Sequence, residues 1–394
     1  MSVPTKHPID WKRKTFNDAL SVLKDGTHFS PKAFGGKNLY ITSKNIRMGR
    51  LSLEDVSYIP DYEHQRIYLA SPVKYGDVLL TKDGAKTGNV CLNTLQEEFS
   101  LLSSVAYLRG KTDLLLNKFL LQWLSSPRVQ YDIKNDMAGQ AITRLTLQKI
   151  GKFKILLPPL PEQKAIAELL STWDEAIEKT ERLIQTKEER FKWLLRELIS
   201  EPRNSQKVTG WKNVLLGDVC KVTKGKQLNV EHMKDDGEYY ALNGGIEPSG
   251  RTDDWNTEAD TITISEGGNS CGYINYNTER FWSGGHCYSL KKLKSDIDRH
   301  YLYFYLKMNE PKLMSLRVGS GLPNIQKKDV DKFVVVLPPL PNQQQIAEVL
   351  SSAQEEIDLL KQLAEQYKTQ KRGLMQRVLT GIWRMAPDAV MRYE

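Results

Sequence analysis

The segment LPPLPEQKAIAELL at Leu157–Leu170 returns as LPPLPNQQQIAEVL at Leu337–Leu350, with ten of fourteen positions identical. A repeat spaced by 180 residues in a chain of 394 divides the molecule before any other feature is weighed. Pro161 and Pro341 suit a first helical turn, where a missing N–H costs nothing. Beyond them the seam positions advance in alternating steps of four and three. In the first copy they are Ile166, Leu170, Trp173, Ile177, Thr180, Ile184, Lys187, Phe191, Leu194 and Leu198. In the second they are Ile346, Leu350, Ala353, Ile357, Leu360, Ala364, Tyr367, Lys371, Leu374 and Val378, each 180 residues after its counterpart. A sustained period of about 3.5 residues is the seam of a coiled coil. Each helix should run roughly 40 residues, or ~60 Å. Neither can bury its seam alone, and each has a matching partner in the other. Thr180, Lys187 and Lys371 interrupt the seams with polarity, either as register markers or as wet positions where a long side chain reaches solvent.

The repeat extends upstream. QAITRLTLQKIGKFKILLPPLP (140–161) aligns with SGLPNIQKKDVDKFVVVLPPLP (320–341), and GDVLLTKDGAKTGNV (76–90) resembles ADTITISEGGNSCGYI (259–274). NLYITSKNI (38–46) faces EYYALNGGI (238–246), and Trp11-Lys12 faces Trp211-Lys212. The chain therefore reads as a tandem duplication of a globular domain followed by a long helix. The expected boundaries are 1–156 and 202–336 for the domains, 157–201 and 337–384 for the helices, and 385–394 for a tail that either docks on the first domain or stays disordered. Within the domains, RIYL (66–69), DVLLT (77–81), SVAYL (104–108), DTITIS (260–265), YINY (273–276) and HCYSL (286–290) predict strands. Helices opening on aspartate caps are predicted from Asp113 to about Ser125 and from Asp296 to about Met308. Each domain is thus a mixed α+β structure.

Composition narrows the function. The formal charge is +8, but Lys and Arg exceed Asp and Glu by nine over residues 1–156, trail by three over 157–201, exceed by two over 202–336 and balance over 337–394. A basic globular region suggests a polyanionic partner. No stretch approaches the ~18 consecutive apolar residues of a membrane span, and MSVPTKHPIDWKRK lacks a signal-peptide core. No membrane association is expected, and a cytoplasmic location is. Cys91, Cys220, Cys271 and Cys287 form no CxxC pair and fit no common zinc spacing, so no metal is expected. There is no GxxxxGK[ST] loop, no HExxH and no His near a GxSxG. An Asn/Asp-Pro-Pro-aromatic motif for methylating DNA amino groups is absent too, so no catalytic residue is assigned.

The loops are more informative. TKDGAKTGNV places Thr81, Lys82, Lys86 and Thr87 among glycines, where a backbone can approach phosphate while side chains donate. The matching SEGGNSCG offers Ser265 and Asn269 without the lysines. NGGIEPSGR adds Asn243, Ser249 and Arg251; KNIRMGR adds Lys44, Arg47 and Arg50. Lys224 and Lys226 are further candidates, as are Gln140, Arg144 and Asn324, which precede the two LPPLP segments. Asn, Gln, Arg and Lys are the types that address adenine and guanine edges in the major groove. Each loop, taken singly, is equally readable as a hairpin turn with solvated charges. Tyr239, Tyr240, Trp255 and Trp282 read better as strand-core packing than as base-stacking surfaces.

Two variable α+β domains, each entering a long helix through PPLPxQxxIAexL, resemble the specificity subunit of type I restriction-modification systems. GWKNVLLGDVC (210–220) also looks like the opening of a target-recognition domain, whereas DWKRKTFNDAL (10–20) keeps only its Trp-Lys. The resemblance implies that each domain reads one part of a split double-stranded DNA site. It also implies that the helices set the gap and dock two copies of a DNA methyltransferase subunit, with restriction/translocase subunits completing the complex. S-adenosylmethionine, ATP and magnesium would reside on those partners, and this chain would be non-catalytic. The expected fold is α+β: two target-recognition domains separated by two long helices that pair as an antiparallel coiled coil, with a pseudo-twofold internal repeat. Composition leaves open a different class, a coiled-coil scaffold with two carbohydrate- or peptide-binding modules.

Overall fold

Each LPPLP segment opens a helix, Leu160–Ile199 of 40 residues and Leu340–Val378 of 39. The computed structural model describes residues 8–137, 144–199, 210–319 and 323–393. Contacts divide it into two units, Met1–Glu181 with Gln362–Glu394, and Arg182–Lys361. The division falls inside both long helices, so each unit holds one globular part and a stretch of each helix.

The strands of the first unit are β1 (Lys12–Thr15), β2 (Leu20–Asp25), β3 (Asn38–Ile41), β4 (Ser57–Ile59), β5 (Val78–Thr81), β6 (Val90–Leu92), β7 (Ser100–Leu101), β8 (Val105–Gly110) and β9 (Lys154–Leu157). Strands β2-β8-β5-β6 form an antiparallel sheet, β4-β3-β7 a second sheet, and β1 pairs with β9. All four residues of β5 are buried, as expected of a short continuous apolar run. The core gathers Phe16, Leu80, Ala106, Leu108 and Phe119 with Ile166 and Leu170 of the first long helix and Met375 and Val378 of the second. Burying Ile166 or Leu170 stabilises by ~1.5–3 kcal/mol each.

The second unit repeats the plan with β10 (Lys212–Leu215), β11 (Lys221–Lys224), β12 (Tyr239–Leu242), β13 (Gly250–Thr252), β14 (Thr261–Ser265), β15 (Ile274–Asn277), β16 (Phe281–Ser283), β17 (Cys287–Lys291) and β18 (Val334–Leu337). Its sheets run β11-β17-β14-β15, β13-β12-β16 and β10-β18, the same order strand for strand. Leu216, Ile262, Ile264, Leu302 and Leu306 pack here with Ile199, Ala347 and Leu350 from the long helices.

None of the predicted seam positions is exposed. In the first unit the Trp173 and Tyr367 rings meet edge to face at 5.7 Å, and Lys368 pairs with Glu181 at 2.9 Å. In the second, Lys187 pairs with Glu356 at 2.6 Å and Lys361 with Glu188 at 2.7 Å. The helices run antiparallel. Lys371, nearly buried, bonds to Asp174, whose other oxygen accepts from Gln122 Nε2 at 2.8 Å, so this seam lysine is paired rather than wet. The C-terminal segment also docks within the first unit: Arg384 donates to Glu162 and Asp10, and Glu162 accepts from Trp11 Nε1.

Three local expectations are corrected. RIYL lies in a helix, Asp61–Ala70, whose first turn holds Asp61 and Glu63 and which buries Glu63, His64 and Ile67 on one face. The helix predicted from Asp113 starts at Asn117, after a turn in which Leu114 N and Leu115 N both bond to Lys111 O. The later one begins at Arg299 with Asp298, not Asp296, as its cap, accepting from Tyr301 N at 2.9 Å.

Both helix entries are fastened by a glutamine of the repeated motif. Gln163, fully buried, accepts from Leu116 N at 3.0 Å and donates to Leu114 O at 2.8 Å and Pro158 O at 2.9 Å. Gln343 does the same with Asp298 N at 2.9 Å, Asp296 O at 3.2 Å and Pro338 O at 2.9 Å. One amide thus ties the proline turn before each long helix to the loop before a domain helix. Gln163→Leu strands one buried and two half-buried backbone groups, and a fully buried one costs about 1–3 kcal/mol when left unpaired. We expect a loss of roughly 2–4 kcal/mol in urea unfolding, with a similar loss for Gln343→Leu; a shift below about 0.5 kcal/mol would contradict the staple.

Candidate nucleic-acid interface

In the first unit the loop after β5 is anchored from beneath. Lys82 is 1% exposed, with Nζ 3.2 Å from Asp25 of β2 and 3.1 Å from Asp83. Leu145 N bonds to Lys82 O, and Arg144 Nε lies 3.1 Å from Asp83, which draws the segment after 143 alongside. Thr87 Oγ1 donates to Gly84 O at 2.6 Å and closes the turn, with Gly84 at φ 94° and Gly88 at φ 97°. The 44–50 loop is fixed beside it by Asn89 Nδ2 to Ile46 O at 3.0 Å and Gly49 N to Val90 O at 2.8 Å. Lys86, Arg47, Arg50 and Arg144 are therefore brought to one loop cluster, and Lys44 pairs with Asp55 at its margin.

The second unit builds the same anchor with the charges reversed. Glu266 stands where Lys82 does, and Lys224 of β11 stands where Asp25 does, with Nζ 2.6 Å from Glu266 Oε1. The Tyr288 hydroxyl lies 2.8 Å from the same oxygen, and burial together with that carboxylate raises its pKa. Glu266 Oε2 has no hydrogen bond; His286 Nδ1 is 3.5 Å from the carboxylate. Ile325 N bonds to Glu266 O and Gly267 bridges Asn324, as Leu145 and Arg144 do in the first unit. The hydroxyls of Ser265 and Ser270 both donate to Gly244 O, and Asn243 Oδ1 accepts from His286 N at 3.3 Å. Gly244 is required there: its φ is 84°, and a Cβ would sit 2.4 Å from His286 O. Asn243, Asn324 and the exposed Asn269 share this cluster.

Several sequence-predicted contacts are corrected. Thr81, Lys82 and Ser265 are buried and position the loops instead of facing a ligand. Lys224 is the partner of Glu266. Arg251 donates to Gly237 O and Glu238 O, and Ser249 to Ala241 O, so both are committed to their own hairpin. Lys226 is exposed, and its carbonyl accepts from Trp282 Nε1. Gln140 lies outside the described residues. Sequence reasoning missed Asp25, Glu266 and His286; the signal was the charge reversal at matched positions. Tyr240 stacks on Phe281, which agrees with a packing role, whereas Trp255 is 38% exposed, lies outside the strands and meets Arg280 at the surface. Burial pushes the Cys91 and Cys220 thiols up to about 12 and Cys287 up to about 11, so at neutral pH all three stay protonated.

A model of the type I restriction modification DNA specificity domain matches residues 8–188 and 209–368. The chain belongs to that family. A protein of Methanocaldococcus jannaschii assigned as the MjaX type I restriction enzyme specificity subunit is 23% identical over 415 residues, covering 95% of this chain and 94% of its own length. One of Mycoplasma pneumoniae, assigned as a type I specificity subunit, is 35% identical over 159 residues, but that match spans 40% of this chain and 42% of the relative. Among solved structures, the S subunit of a type I system from M. genitalium shares the fold with a TM-score of 0.70 at 19% identity, over 96% of this chain and 98% of that one. The two units of this specificity subunit share one sheet order, and their loop clusters carry different side chains.

The reversed anchor generates a direct test. Lys82→Met leaves the Asp25 carboxylate, 12% exposed, without its partner across the sheet and should cost about 3 kcal/mol in urea unfolding. The doubles Asp25→Leu/Lys82→Met and Asp25→Lys/Lys82→Glu should each recover most of that loss. Simple additivity of the single substitutions would contradict the pairing.

Proposed function

We propose that this specificity subunit reads a bipartite DNA sequence, one half with each loop cluster, and that its helix pair sets the gap and docks two copies of a methylation subunit. The observation that carries the reading is the pairing of a repeated scaffold with unlike loops. The first cluster presents Arg47, Arg50, Lys86 and Arg144, and the second presents Asn243, Asn269 and Asn324. Both sets match the side chains that address base edges, and they differ as two readers of different sequences should. A two-module reader gains from effective concentration only when its connector matches the span between sites, and a stiff helix pair supplies that match. Two half-sites on one face of the duplex lie about one turn, ~34 Å, apart.

In this reading the chain positions and its partners react. Methyl transfer with S-adenosylmethionine, and ATP- and magnesium-dependent restriction, belong to the other subunits. The assembly theme is supported by relatives: a solved structure with a TM-score of 0.57 comes from work on complex assembly in a type I restriction-modification system.

The test is a genome-wide map of methylated adenines by long-read sequencing, in cells with and without this gene and with the neighbouring methyltransferase retained. The expected result is loss of a single bipartite adenine motif on deletion. A motif that persists unchanged in the deleted strain would contradict the reading.

A further inference from the structure

A lysine cluster on the second unit is not used by its loop cluster. Lys221 opens β11, Lys292 follows β17, Lys294 N bonds to Val219 O at 3.0 Å, and Lys327 and Lys332 bracket the short helix Lys327–Asp331. With Asp218 and Asp331 they line an open cavity of about 500 Å³. Lys327 is neutralised by Asp331 at 2.5 Å. Lys221, Lys292, Lys294 and Lys332 are exposed.

The duplication supplies an internal control. Strand register places Val22 opposite Arg109 and Lys221 opposite Lys291, so Val22 and Gly110 occupy the positions of Lys221 and Lys292. Lys111, whose N bonds to Ala19 O, matches Lys294, while Leu147 and Lys152 match Lys327 and Lys332. Five lysines in one unit thus replace two in the other, and Lys111 Nζ is already bonded to Asp18 O at 2.7 Å. The fold does not require the cluster. General basicity does not produce it either, since residues 202–336 hold an excess of only two positive charges. Lys292 also sits at φ 51°, a left-handed conformation that a lysine adopts only at a cost.

We propose that this cluster is a phosphate-contact site for duplex DNA, outside the base-reading loops; the proposal rests on the DNA-reading function above. Lys221 and Lys224 are the two ends of β11, about 10 Å apart at ~3.3 Å per residue. That is the length of about three base pairs, so the cluster lies within reach of a duplex that extends beyond the second loop cluster. Lysine acts as a point charge without fork geometry, which suits backbone contacts that hold register and carry no sequence information.

The test replaces Lys221, Lys292, Lys294 and Lys332 together by glutamine in the full chain, with a matching all-arginine variant and thermal unfolding as the fold check. The probe is a fluorescent duplex of roughly 30 base pairs and arbitrary sequence, titrated between about 50 and 200 mM salt. The slope of log affinity against log salt should fall in magnitude by about 3.6, at ~0.9 for each of the four lost phosphate contacts, and affinity near 0.1 M salt should drop roughly tenfold or more. The arginine variant should keep the original slope. A glutamine variant with the original slope and affinity, where the parent chain shows steep salt dependence, overturns the phosphate site and leaves DNA reading standing. A parent chain whose binding ignores salt overturns both. A glutamine variant that keeps DNA affinity but no longer captures the methylation subunit reassigns the cluster to an acidic protein surface and overturns the proposal.

Discussion

The structure depends on two buried glutamines. Gln163 and Gln343 each satisfy one backbone N–H and two carbonyls where a sheet strand ends, a proline turn follows and a long helix begins. A helix of about 60 Å magnifies any error at its root, and a tilt of roughly 5° displaces the far end by ~5 Å. Selection for a defined helix direction therefore acts on the entry, which accounts for LPPLPxQ remaining almost unchanged between copies while the domains have drifted. Ile166, Leu170, Ala347 and Leu350 continue the same logic by rooting the first turns in the cores.

The helices were legible because a period of 3.5 residues is written in every turn, and all of its positions are at least half buried. The central strands were legible for a similar reason, as short apolar runs between turn residues. RIYL was not: Ile67 and Leu69 read as strand-forming, yet Asp61 and Glu63 in the first turn and the burial of His64 and Ile67 on one face favour the helix. The short strands β1 and β10 were missed because each is stabilised by a partner more than 100 residues away, in β9 and β18.

The loop segments were legible in the sequence, but which of their side chains turn inward was not. A lysine among glycines has the composition of a phosphate cradle whether it points outward or inward, and Asp25, two strands away in the sheet, decides the matter for Lys82. The reversal to Lys224 and Glu266 keeps the anchor while exchanging its signs. What the two units share is thus a position for an ion pair, and what they vary is the polar surface above it: cationic over Arg47, Arg50 and Lys86, amide-rich over Asn243, Asn269 and Asn324. That separation of a fixed frame from a variable surface is what a reader of two unlike half-sites needs.

The most direct measurement adds one heptad to both long helices at facing positions and maps the methylated motif again. A heptad is about 10.5 Å of helix, or ~3 base pairs of duplex. The account predicts a longer gap with both half-sites unchanged. A recognised gap of constant length in an assembled, active complex would contradict it.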